Sequence, residues 1–184
     1  MSSSTDTRIF RYQIDALDRL VTVNSAFLAF AQENAGASLS EPSLLGRQIW
    51  DFIGDDETRL LYQLILGRVR GGRAMVVQLR CDSPAARRRI ELHIDRLATG
   101  WVQFTSQIVE QHERDYMALL DESVPRTRSV ISICSWCKRV QVPGRGWFEV
   151  EDALDLLKIV DAIDLPSLSN VVCYDCHHAI LAAL

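Results

Sequence analysis

The sequence predicts an α+β chain in two parts: a five-stranded antiparallel sheet with helices on one face, followed by a small α/β module stapled by cysteines. Three patterns carry that expectation. Over residues 8–110, short apolar runs fall in the order strand, strand, helices, strand, strand, strand, which suits a sheet covered on one side. Two CxxC pairs, Cys134 with Cys137 and Cys173 with Cys176, put four of the five cysteines into residues 129–184. Between the two regions, Pro125 and the run Arg126-Thr127-Arg128 mark a boundary.

Met1 to Thr7 is a Ser/Thr-rich tail, expected to be disordered. Ile9–Ile14 and Leu20–Val23 flank the polar turn Asp15-Ala16-Leu17-Asp18-Arg19, a hairpin pattern. Asn24 offers an N-cap to a helix through Glu33, and residues 34–43 read as a loop. Gly46 punctuates the next segment, with a helical turn at Ile49-Trp50-Asp51-Phe52. Asp55 and Asp56 then cap a helix to Arg70, with Leu61, Leu64, Ile65 and Val69 as its expected apolar face. Three strands are expected over 74–81, 89–97 and 101–109. In the middle one Ile90, Leu92 and Ile94 alternate with Glu91, His93 and Asp95, so one face is buried and the other wet.

This order, with Val23-Asn24-Ser25-Ala26-Phe27, Leu45-Gly46-Arg47 and the helix from Asp55, resembles the PAS domain over residues 8–110. The resemblance implies sheet order 2-1-5-4-3, a cavity closed by short helices, and a sensory role. It leaves the PAS ligand unknown. Ile49 stands where flavin-binding photoreceptor members carry their reactive cysteine. His93 shares the polar side of its strand, away from any pocket, which does not suit a haem ligand. Cys81 alternates in step with Met75, Val77 and Leu79 and reads as a small core residue.

Residues 111–128 read as a connecting helix or linker, and a partner protein or a homodimer is expected to engage the PAS domain and that helix. In residues 129–184, Val130–Ile133 leads into the first CxxC, residues 143–146 form a turn, and an acidic helix runs from Glu149 to about Ile163. That helix fills the 35 residues between the CxxC pairs. Asn170–Val172 delivers the second pair, and His177–Leu184 forms a terminal helix. The expected apolar core is Trp136, Trp147, Phe148, Leu154 and Leu157. Ile133, Cys134, Cys137, Lys138, Arg139, Val140, Gly146, Trp147, Cys173 and Cys176 resemble a zinc-finger-like module found beside PAS, GAF and response-regulator domains in bacteria. The histidine common before the second pair in that module is missing here, where Ser169-Asn170-Val171-Val172 stands.

Two CxxC turns supply the four sulfurs of a tetrahedral zinc site, so Cys134, Cys137, Cys173 and Cys176 are the expected ligands of a structural Zn2+. Such an ion offsets the small core of a module of this size. Cys173-Tyr174-Asp175-Cys176-His177 also matches the c-type haem attachment pattern. That chemistry needs export, and Met1–Thr7 has no basic-then-apolar signal. His177 or His178 remains open as a ligand in place of a cysteine, or as a hydrogen-bond donor to a ligand sulfur.

Apolar residues make up 48% and charged residues 24% of the 184, the composition of an ordinary globular protein. No apolar run approaches the roughly 18 residues of a membrane span, and a reducing cytoplasm is the expected location. Net charge is −4, and residues 129–184 carry seven carboxylates against four cations, which argues against nucleic acid. No nucleophile–base pair is visible, so a non-enzymatic signal-transduction or regulatory protein is expected. The alternative is a thiol redox switch that releases zinc on oxidation.

Overall fold

The computed structural model describes residues 8–34, 39–159 and 165–184. The expected tail 1–7, part of the loop before Ser43 and the last turn of the acidic helix lie outside them. The first region forms a five-stranded, wholly antiparallel sheet from β1 (Ile9–Ile14), β2 (Leu20–Val23), β3 (Met75–Arg80), β4 (Ala86–Arg96) and β5 (Val102–Glu113), ordered β2-β1-β5-β4-β3. Strand alternation decides its faces. Phe10, Ile14, Met75, Val77, Ile90, Leu92, Ile94, Val102, Phe104 and Ile108 are buried, whereas Gln13 pairs with Gln103 and His93 with Glu91 on the other side.

Helices α1 (Ser25–Glu33), α2 (Glu41–Leu44) and α3 (Asp56–Arg70), with a 3₁₀ turn at Ile49–Phe52, cover the apolar face. Asn24 caps α1 through Phe27 N (2.9 Å), and Asp55 caps α3 through Thr58 N (2.7 Å), each side chain satisfying a donor that the first turn leaves free. The buried stripe of α3 is Thr58, Leu61, Ile65, Leu66 and Val69, while Leu64 is exposed. Leu66, rather than Leu64, completes the stripe, in the same core as Ile180 of the terminal helix.

The connecting helix is absent among the described residues of 111–128. Strand β5 runs on to Glu113, followed by a 3₁₀ turn at Ala118–Leu120, and β6 begins at Arg126. The extension exists because β4 starts earlier than expected. Ala86 to Arg89 pair with Glu113 to Glu110, supported by Arg88 Nε–Gln111 Oε1 (3.0 Å) and Arg89–Glu110 (2.8 Å). Cross-strand polar pairs of this kind hold a ladder with little apolar content. Beyond it, Leu119 is buried in the module's core.

The C-terminal module is a mixed four-stranded sheet ordered β8-β7-β6-β9, built from β6 (Arg126–Cys134), β7 (Val140–Val142), β8 (Gly146–Phe148) and β9 (Leu165–Val171). Strands β6 and β9 are parallel, and the chain between them passes through β7, β8 and α4 (Val150–Leu157) before β9 leads into α5 (Tyr174–Ala183). Helix α4 stops well before Ile163 because Lys158 adopts φ 58 and ψ 42, a left-handed C-cap. Its Val150, Ala153 and Leu154 pack on Ile133, Val140 and Val142, with Phe148 and Leu157 alongside.

The expected module core needs one correction. Trp136 and Trp147 do not join Phe148, Leu154 and Leu157; they pack into the core of the first sheet, together with Cys134, Cys173 and Ile180.

Candidate functional site

Strand β6 ends at Cys134 and the chain reverses through Ser135–Lys138 into β7. Lys138 N donates to Cys134 O (2.9 Å), Cys134 N donates to Arg139 O (2.8 Å), and Lys138 takes φ 60 to close the turn. At the other end β9 delivers Cys173 as the N-cap of α5, with Cys176 in its first turn. The parallel register sets Cys134 against Val171, so the β6/β9 pairing carries one CxxC to the other. The sulfurs of Cys134, Cys137, Cys173 and Cys176 all lie within 4.8 Å of one another.

Cys137 Sγ is 3.8 Å from Cys173 Sγ, and all four are free thiols. A disulfide would bring two sulfurs to about 2.05 Å. Main-chain N–H groups of Cys173 (3.3 Å) and Cys137 donate to Cys134 Sγ, and that of Arg139 donates to Cys137 Sγ. Cys134 and Cys173 are buried, and Cys137 and Cys176 are half-buried.

One negative charge is well provided for in this cluster. The Cys134 thiol is shifted strongly downward, because the Cys137 and Cys176 thiols and the Cys173 N–H donate to it. Cys137 is pushed up to about 12, first by its hydrogen bond to Cys134 and also by burial. Cys176 is pushed up as well, by its hydrogen bonds with Cys134 and Cys137. A bound cation reverses this logic, since it deprotonates coordinating thiols outright. The set can therefore hold a metal ion. His177 and His178 are not in the ligand cluster; His178 stacks on Tyr174 with ring centroids 5.9 Å apart.

A second candidate lies in the first region. A cavity of about 310 Å³ is lined by Tyr12, Leu20, Phe27, Leu39, Leu44, Ile49, Phe52, Ile53 and Tyr62. Its polar groups are the two phenols. Burial, and then proximity to Tyr62, raises the Tyr12 pKa well above its ordinary value; burial raises Tyr62 to about 12. Both hydroxyls thus remain protonated donors. His93 is outside the lining and bonds Glu91 Oε1 at 2.8 Å. Cys81 packs among Phe10, Ile90 and Ile108, and burial raises its pKa.

The two sites are tied together by residues whose roles the sequence reveals only in part. Asp55 is legible as a helix cap, but its second oxygen accepts from Ser135 Oγ at 2.8 Å. Glu57 accepts from Val172 N at 2.8 Å, next to Cys173. Trp136, only 5% exposed, donates Nε1 to Gln78 O (3.1 Å), and its carbonyl receives Arg80 N (2.8 Å). Those contacts cover β3, the edge strand of the first sheet. Asp82, with a fully buried carboxylate, binds Arg80 and Arg114, while Glu149 and Glu151 reach back to Arg80, Arg87 and Arg114.

Among solved structures, the chain is similar to a domain of an HTR-like protein from Haloarcula marismortui ATCC 43049. Identity is 11% and the TM-score 0.40, over 55% of this chain and 97% of that one. No family model matches the chain, and no curated protein matches it.

Proposed function

We propose that this chain is a non-enzymatic regulatory protein, a PAS-type sensor whose C-terminal module is built on a structural zinc ion. The observation that carries the reading is the closure of four sulfurs within 4.8 Å by two separate CxxC segments. Zinc–sulfur bonds of about 2.3 Å in a tetrahedron place neighbouring sulfurs about 3.8 Å apart, and the Cys137–Cys173 separation is 3.8 Å. Four thiolates fill a tetrahedron and leave no open position for a water nucleophile, which suits a structural rather than a hydrolytic ion. The N–H donors on Cys134 and Cys137 spread the extra negative charge of such a centre.

The PAS part of the reading rests on the sheet order β2-β1-β5-β4-β3 and on the apolar cavity beneath α1, α2 and α3. Its occupant would be a small, largely apolar molecule with a polar group that accepts from Tyr12 and Tyr62. Output would pass to a protein partner or to a second copy of the chain.

Native mass spectrometry with elemental analysis, on protein purified without added metal, tests both halves. One zinc per chain and a retained small molecule are expected. A chain that binds no zinc when offered it overturns the metal reading, and a cavity whose size is unchanged but which retains and takes up nothing counts against the sensor.

A second reading has its own support. The second CxxC sits at the N-terminus of α5, after the parallel β6–β9 crossover, a setting that suits thiolate chemistry and that the sequence did not reveal. As zinc-bound thiolates, Cys137 and Cys173, at 3.8 Å, would give two electrons to a peroxide, which takes two protons from solvent. The products are one disulfide and two waters, and zinc is released. Zinc retained through mild peroxide treatment excludes that switch.

A further inference from the structure

Helix α3 reaches both candidate sites with different turns. Its N-terminus holds the two CxxC segments: Asp55 at Ser135 and Glu57 at Val172, both at 2.8 Å. Its second turn carries Tyr62, which lines the cavity and whose ring lies 5.3 Å from that of Trp136. Trp136 sits between Ser135 and Cys137 in the chain and is buried against the edge of β3.

We propose that metal loading at the four cysteines and occupancy of the cavity are linked through α3, with Tyr62 as the wall they share. The inference rests on the metal-binding and cavity readings above. A molecule entering the cavity must displace or pin the Tyr62 ring. Close packing then passes that change to Trp136, and through it to the spacing of Cys134 and Cys137. In the other direction, a metal that draws the CxxC segments together fixes Ser135 and Val172, and with them the first turn of α3. By linkage each site changes the other's affinity by the same factor. The chain thus has two inputs, a metal or thiol state and a small apolar ligand.

The test is hydrogen exchange on the full chain, zinc-loaded and after chelation, with native mass spectrometry of the same samples. In the wild type, zinc removal is expected to speed exchange across the module, and beyond it in the first turns of α3 and in cavity residues 44–53. A speeding of at least roughly fivefold is expected, matching the lower end of the usual coupling between linked sites. In Trp136→Ala and in Tyr62→Leu, the four cysteines still hold zinc, but residues 44–53 no longer follow the metal.

Zinc-dependent exchange confined to residues 126–184 in the wild type overturns the linkage, as does an undiminished response of 44–53 in both variants. A wild type that takes up no zinc overturns the metal reading itself, and the mass spectrum separates that failure from an uncoupled, zinc-loaded protein. If Trp136→Ala does not fold, Tyr62→Leu carries the test alone.

Discussion

Residues 9–113 bury their apolar side chains against one face of one sheet, whereas residues 126–184 divide theirs between two cores. The first region has Phe104, Ile94, Ile14, Leu61 and Ile65 fully enclosed, on strands joined by antiparallel ladders. The module keeps a small cluster of its own around Val140, Val150 and Ala153. It sends Cys134, Trp136, Cys173 and Ile180 into the larger core. The cysteine centre is therefore not a remote staple. It lies at the seam, and the seam is closed by the first turn of α3.

The largest effect on this contrast is expected from removing the zinc ion proposed above. Structural zinc contributes about 10–16 kcal/mol of apparent binding free energy in isolated finger peptides. Cys134→Ser, or strong chelation, is therefore expected to unfold the module and also to lower the melting temperature of the first sheet, because the shared core is opened. Calorimetry decides it: a first-sheet transition that stays at its original temperature would restore two independent halves.

Next comes Phe104→Ala, deep in the first core and stacked on Tyr12 at 4.5 Å. A destabilisation of about 3–5 kcal/mol is expected from lost burial and the cavity left behind, read as a lowered urea midpoint with zinc still bound. Zinc loss in parallel with unfolding of the first sheet would show that the larger core also supports the metal site.

Smaller, but aimed at the seam, is Asp55→Ala. It removes the α3 cap, worth about 0.5–2 kcal/mol, together with the Ser135 hydrogen bond. Ser135→Ala removes only the latter, a smaller loss than removing both. Faster zinc transfer to a competing chelator is expected in both variants, and equal rates to wild type would detach α3 from the site. The smallest effect is expected for Arg89→Ala. Its partner Glu110 is at 2.8 Å, but both side chains are about half exposed; solvent screens the pair, so the change is expected to fall within the error of a denaturation midpoint.

Much of this architecture is legible along the chain. Strands β1 and β2 follow from apolar runs around a polar turn, and α3 from Asp55 and its periodic stripe. The four cysteines stand out by spacing alone. Residues 111–113 were not legible as strand, because their alternation is polar and their support comes from arginines about 25 residues earlier. The end of α4 was hidden for another reason: Lys158 in a left-handed cap carries none of the glycine signal that usually marks one.

Local elements and the clustering of thiols are written into the amino-acid order, since periodicity, capping residues and thiol spacing act over a few residues. Which side chains share a core depends on contacts between distant segments. Trp136 reads as a module residue in sequence, yet the edge of β3 leaves a carbonyl and an N–H to be satisfied, and Trp136 meets both. Asp55 likewise has two carboxylate oxygens. The sequence specifies the one that caps its own helix; packing assigns the other to Ser135, 80 positions away.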